Sequence, residues 1–208
     1  EQSLFNRVLD LDWVYPPGPS DFCGGDAVMR PEVLRAVDGF DASLIAGEEP
    51  DLCQRIRALG HVILHIDQPM TGHDLAMTGW ASYWKRAFRA GYAYAEVSDR
   101  LKDTAFPLWV ADVRRNRIRG GILLLLGFVA LLATGVMLSV WPLILLFSAI
   151  LALSIRSAWK ARWKSGSAGT LLLYGFHSHL QQIPILFGQL AWWRDRRRAR
   201  PRGLIEYK

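Results

Sequence analysis

The residues best suited to chemistry lie in Gly47-Glu48-Glu49-Pro50-Asp51-Leu52-Cys53-Gln54-Arg55. Three carboxylates fall within four positions. Proline is at home in the first turn of a helix, where its missing N–H leaves no bond unmade. The run from Asp51 to Leu59 then reads as a helix that Gly60 stops. Glu48 and Glu49 fall at its entrance, where free amides and the helix dipole favour negative charge. A carboxylate fixed there could accept a proton from a substrate hydroxyl. The same acids would also serve simply as charges that stabilise a surface helix end.

A second segment lies upstream, Asp21-Phe22-Cys23-Gly24-Gly25-Asp26-Ala27-Val28-Met29-Arg30-Pro31-Glu32. Paired glycines permit backbone shapes and close approaches that a Cβ forbids, although an ordinary tight turn uses them too. Pro31 opens a further short helix that ends near Val37-Asp38-Gly39-Phe40-Asp41.

The order of these segments resembles the C-terminal half of family-2 glycosyltransferases of the GT-A fold. In that family a Gly-Gly or Gly-Ala turn precedes a helix and a Gly-Gly-Phe-Asp-like segment. A Gly-Glu-Asp-x-Asp-Leu-x-x-Arg run follows, and its second acid is the usual catalytic base. That acid falls on Glu49, with Glu in place of the more usual Asp, and Glu48 is the minor candidate. The resemblance covers roughly residues 1–75 and implies an α/β, Rossmann-like domain. It implies an acceptor site shaped by Gly24, Gly25 and Asp26, with Asp51 and Arg55 beside it. It also implies a nucleotide-sugar donor and a divalent metal, Mg²⁺ or Mn²⁺, bound mainly by residues outside this chain. His73, in the loop after a strand, is the residue here that would reach the metal or the donor diphosphate. The family's donor site uses a strand-end Asp-x-Asp. Asp10-Leu11-Asp12 has those letters but lies too close to Gly24-Gly25, and reads as solvated carboxylates on a strand or loop. The chain is therefore expected to be a piece of a longer protein.

The elements around these residues can be read from pattern. His61-Val62-Ile63-Leu64-His65-Ile66-Asp67 is a short run rich in β-branched residues and reads as a strand ended by Pro69. Charge is split along the chain. Residues 1–113 carry 10 Lys/Arg against 17 Asp/Glu, and residues 114–208 carry 15 against 2, so a net of −7 is followed by +13. A basic tail can bind nucleic acid, but an apolar block sits within this one, and anionic lipid headgroups are the expected partner instead.

That block runs from Gly120 to Ile155 without a charge. As one helix it would be about 54 Å long, nearly twice a hydrocarbon core of about 30 Å. Trp141-Pro142 offers the break, which gives two spanning helices over about 120–139 and 142–157. Arg114, Arg115, Arg117 and Arg119 flank one end, and Arg156, Lys160, Arg162 and Lys164 the other. Positive charge on both flanks of a two-helix crossing places both ends in the cytoplasm. The expectation is a multi-pass protein of the cell's inner membrane with its catalytic part cytoplasmic.

Between the two parts, Trp80 to Tyr92 sets aromatics at helical spacing among Lys85, Arg86 and Arg89, as in a helix lying in the membrane interface. Its aromatic face could also stack on a sugar or polyprenyl acceptor. After the hairpin, Thr170–Phe176 and Ile185–Trp193 are apolar but are separated by His177, Ser178, His179, Gln181, Gln182 and Pro184, and six arginines follow from Arg194 to Arg202. A broken or re-entrant interfacial pair fits this better than a span. The His/Gln stretch could face an acceptor or simply bond between helices. Cys23 and Cys53 are expected as reduced thiols, and their spacing forms no metal-binding cysteine cluster.

The resulting domain plan is a catalytic part over 1–79, interfacial helices over 80–117, a transmembrane hairpin over 118–157 and a basic interfacial region over 158–208. The expected function is inverting transfer of a sugar from a nucleotide-sugar donor to a hydroxyl of a lipid-linked or other glycan acceptor at the cytoplasmic membrane face. No Gln-x-x-Arg-Trp motif is present, which argues against the alternative of a processive polysaccharide synthase. A non-catalytic membrane anchor or assembly module is the other alternative.

Overall fold

The computed structural model describes residues 3–24, 26–68 and 75–198. Leu4–Leu9 forms α1, opened by Ser3, whose hydroxyl accepts the Asn6 N–H at 3.0 Å. Asp10–Trp13 continues as a 3₁₀ turn. Gly18–Ser20 (β1) precedes Pro31–Ala36 (α2), Glu48–Ala58 (α3) and Ile63–His65 (β2). Four long helices and one of 13 residues complete the described chain: Trp80–Leu101 (α4), Val110–Met137 (α5), Trp141–Lys160 (α6), Ala168–Leu180 (α7) and Gln182–Arg197 (α8).

The expectation of an α/β, Rossmann-like GT-A domain is overturned. Among the described residues the only sheet is one antiparallel pair, with Gly18 opposite His65 and Ser20 opposite Ile63. The physical reason lies in the supply of strands. A parallel sheet needs several buried apolar runs joined by crossovers, and residues 3–68 offer one, at His61–Asp67. Its partner carries Pro19, which lacks a ladder donor and belongs at an edge. The structure is instead mostly helical.

Several local expectations fit the structure. Pro31 opens α2, Pro50 lies in the first turn of α3, and α3 stops just before Gly60. α5 and α6 form the hairpin, turning through Leu138–Val140. Both are long and apolar enough to cross a membrane, and only 11% and 6% of their most apolar windows are covered by protein. At about 1.5 Å per residue, α6 alone spans about 30 Å. The boundary drawn at 117/118 falls inside α5, which carries Arg114–Arg119 on the same continuous helix as the apolar run.

α4 buries a stripe of Tyr83, Ala87, Gly91, Ala95 and Ser98, the spacing of one helical face. Against it lies α8, and the two backbones touch through glycines. A Cβ on Gly91 would fall 2.1 Å from the Ile185 carbonyl oxygen, and one on Gly188 would fall 2.0 Å from that of Phe88. Gly120 of α5 meets Gln182 of α8, and Gly175 of α7 meets Ser154 of α6, in the same way. Small residues at close helix crossings are the packing mode expected where lipid removes the hydrophobic drive between helices.

Candidate functional site

A cavity of about 530 Å³ opens between the start of α3 and the middle of α4. Glu48 and Glu49 line one wall, and Arg86 and Arg89 of α4 line another. Trp13, Tyr15, Phe22, Tyr94 and Trp109 supply aromatic faces, and Gln181, at the α7–α8 break, closes one side. Gly47 makes this geometry possible. It holds a left-handed φ of +84° before α3, and a Cβ there would lie 2.7 Å from Val97 Cγ2 of α4. Only glycine takes that backbone at such close range without strain.

Glu49 is held firmly at one oxygen. Its Oε1 accepts the Cys23 N–H at 2.7 Å, the Cys23 thiol at 2.9 Å and the Cys53 thiol at 3.0 Å. Its Oε2 bonds to none of the described residues. The Cys23 hydrogen bond, burial and the neighbouring Glu49 carboxylate together push the Cys53 thiol far up. Glu48 is half-buried on the same cavity wall.

The other sequence-derived candidates separate. Gly24 joins the cavity wall, with φ +85°, against the Tyr15 ring. Asp26 is exposed and borders a neighbouring cleft of about 470 Å³, together with Cys23 and His65. Asp51 and Arg55 do not line the main cavity. Asp51 is buried and pairs with Arg55 at 2.9 Å, and Arg55 also donates to the Val37 carbonyl, so the pair ties α3 to the end of α2. Gly25 and His73 lie outside the described residues.

Asp12 is not a solvated carboxylate. Its Oδ2 lies 3.3 Å from His177 Nε2 and 3.8 Å from Arg86, and its Oδ1 accepts the Tyr174 hydroxyl at 3.1 Å. The His177 Nδ1 lies 2.9 Å from the Tyr83 hydroxyl. Burial pushes the Asp12 carboxyl up, but the bond and charge of His177, with Arg86 and Tyr174, more than offset this. The carboxyl is held below the ordinary range. Burial and the charges of Asp12 and Glu49 push the neighbouring Tyr15 hydroxyl up to about 12. The sequence did not point to this network, because Asp12 and His177 are far apart in the chain and their pairing depends on α7 folding back over α1. Of the His/Gln stretch, His177 and His179 bond between helices, the latter 3.1 Å from the Ser157 hydroxyl, whereas Gln181 faces the cavity.

No protein-family model matches the chain, and no curated protein or solved structure is significantly similar to it.

The Mg²⁺ or Mn²⁺ implied by the resemblance requires a set of oxygen donors. Among the described residues the ligating side chains that converge are Cys23, Glu49 and Cys53, a set dominated by sulfur. Asp12 is committed to His177, Tyr174 and Arg86. The described residues therefore do not fit a hard cation. Nor was the convergence of Cys23 and Cys53 legible from their spacing, because it depends on the loop before α2 crossing the first turn of α3.

Proposed function

We propose that this chain carries the acceptor side of an inverting glycosyltransferase, anchored in a membrane by α5 and α6, and that Glu49 is its general base. One observation carries the reading: Glu49 lines a cavity of about 530 Å³, fixed through Oε1, with Oε2 bonded to none of the described residues. Oε2 takes the proton of an acceptor hydroxyl as that oxygen attacks the anomeric carbon of a nucleotide-sugar donor. The new C–O bond forms as the bond to the nucleoside diphosphate breaks, and the configuration inverts. Trp13, Tyr15 and Trp109 offer aromatic faces to a sugar ring. Arg86 and Arg89 place positive charge on the wall where a lipid-linked acceptor carries phosphate. Donor recognition falls to a nucleotide-binding unit that the described residues do not contain. The basic flanks of the hairpin support a cytoplasmic placement of the cavity in an inner membrane.

The three donors on Oε1 also favour a second reading, in which Glu49 only staples the Cys23 loop to α3 and the chain is an anchor module. Membranes containing the protein expressed from its complete gene, incubated with labelled nucleotide sugars, separate the two. The transferase reading expects label in a lipid-extractable product, absent from membranes lacking the gene. No protein-dependent product with any donor supports the anchor.

A further inference from the structure

We infer that Cys23, Glu49 and Cys53 form a binding site for a soft divalent cation of the Zn²⁺ class. The inference stands whether or not Glu49 is the base of a transferase. It rests on distances. Zn²⁺ bonds thiolate sulfur at about 2.3 Å and carboxylate oxygen at about 2.0 Å in a tetrahedron, which sets S···S near about 3.8 Å and S···O near about 3.5 Å. The two Sγ atoms lie 3.7 Å apart, already at the first spacing. The S···O separations of 2.9 and 3.0 Å need to open by roughly half an ångström. Glu49 is half-buried and its Oε2 bonds to none of the described residues, so its carboxylate can turn to make that adjustment. A disulfide would instead require the sulfurs to close from 3.7 Å to about 2.0 Å.

The chemistry of the set points the same way. Two sulfurs and one carboxylate select a borderline-soft cation over Mg²⁺ or Ca²⁺, which prefer all-oxygen shells. Three potential anions converge within 4.8 Å, with Cys53 fully buried. Hydrogen bonds of the thiols join this cluster: the Cys23 thiol donates to Oε1, and the Cys53 thiol lies within reach of both Oε1 and the Cys23 sulfur. Cation binding replaces them: two S–H protons pass to solvent, two metal–sulfur bonds and one metal–oxygen bond form, and nothing is oxidised or reduced. Cys23 and Glu49 remain partly exposed on the cleft walls, which leaves the fourth position to a water.

The test is Co²⁺ titration of the reduced, metal-stripped full chain in detergent, followed by Zn²⁺ competition. The expected result is one Co²⁺ per chain with a thiolate-to-cobalt charge-transfer band and tetrahedral d–d absorption, both erased by stoichiometric Zn²⁺. Cys23→Ser, a substitution in a partly exposed loop, should remove about half of the charge-transfer intensity and weaken binding at least tenfold. Glu49→Gln should keep the charge-transfer band but weaken binding. Circular dichroism confirms that each variant retains its helices, so a misfolded Cys53→Ser is not needed for the conclusion. Absence of a thiolate band in the reduced wild type, or an unchanged band and affinity in Cys23→Ser, overturns the site.

Discussion

The glycine contacts between α4 and α8 give the most quantitative handle on the fold, and Gly91→Ala is the perturbation that isolates them. The new methyl would start 2.1 Å from the Ile185 carbonyl oxygen and 2.6 Å from its Cα. Ordinary contact begins near 3.4 Å, so the helices must part by about 1 Å. Overpacking a tight core costs about 1–3 kcal/mol, and here the obstacle is backbone that cannot swing aside. Alanine regains up to about 1 kcal/mol of helix propensity. The net expectation is a loss of about 1–2 kcal/mol. Gly121→Ala is the control: it also lies in a helix, and its Cβ meets nothing within 4 Å. It should be neutral or slightly stabilising. Helix loss followed by circular dichroism against temperature in detergent compares the two. Because Arg89, Ala90 and Ala93 flank Gly91 and line the cavity, Gly91→Ala should also perturb whatever binds there. Equal stability of the two variants would show that α4 and α8 do not meet backbone to backbone.

Three further outcomes follow from the site and the hairpin. Asp12→Asn should destabilise by about 1.5–3 kcal/mol, the range for a hydrogen bond to a charged group. The Asp12 carboxyl is held below its ordinary value, so its contribution is complete above about pH 4, where the unfolded chain titrates, and is lost as pH falls through the lower folded value. The gap between wild type and variant should therefore close in strong acid, and a gap that widens there would contradict the network. Gly47→Ala combines left-handed strain with a methyl 2.7 Å from Val97 Cγ2, and thermal unfolding should show a loss of about 2–4 kcal/mol. A cysteine placed at Ser139, in the hairpin turn, should react with an impermeant thiol reagent in intact cells, and one at Ser165 should not; the reverse pattern would invert the topology.

What the sequence made legible was local. Gly60 marked the end of α3, whose start at Glu48 lies two residues before Pro50, Pro31 marked the start of α2, and Trp141-Pro142 the break in the apolar block, because each acts through its own backbone or through hydropathy over a long run. The α/β expectation failed because it came from the order of motifs rather than from a count of strands able to pair. Glu48, Glu49 and Gly24 all line the cavity, an arrangement that the spacing of the motifs alone does not determine. Asp51 and Arg55, four residues apart on one helix, found each other instead. The Asp12–His177–Tyr83 network and the Cys23–Cys53 approach join distant segments, and single-residue patterns carry no signal for such pairings.

The central claim is that Glu49 is a proton acceptor and not only a staple. Glu49→Gln keeps the shape and removes the basic oxygen, with Glu48→Gln as the neighbouring control and Cys23→Ser as the control for loss of the cation site. Transfer measured in the protein expressed from its complete gene should show kcat falling about 10²–10⁴-fold in Glu49→Gln, with donor affinity little changed. Glu48→Gln should lose only the worth of one charge near a helix start, about 0.3–1 kcal/mol of stability, with turnover nearly intact. Near-normal turnover in Glu49→Gln, or a larger loss in Glu48→Gln, would contradict the assignment.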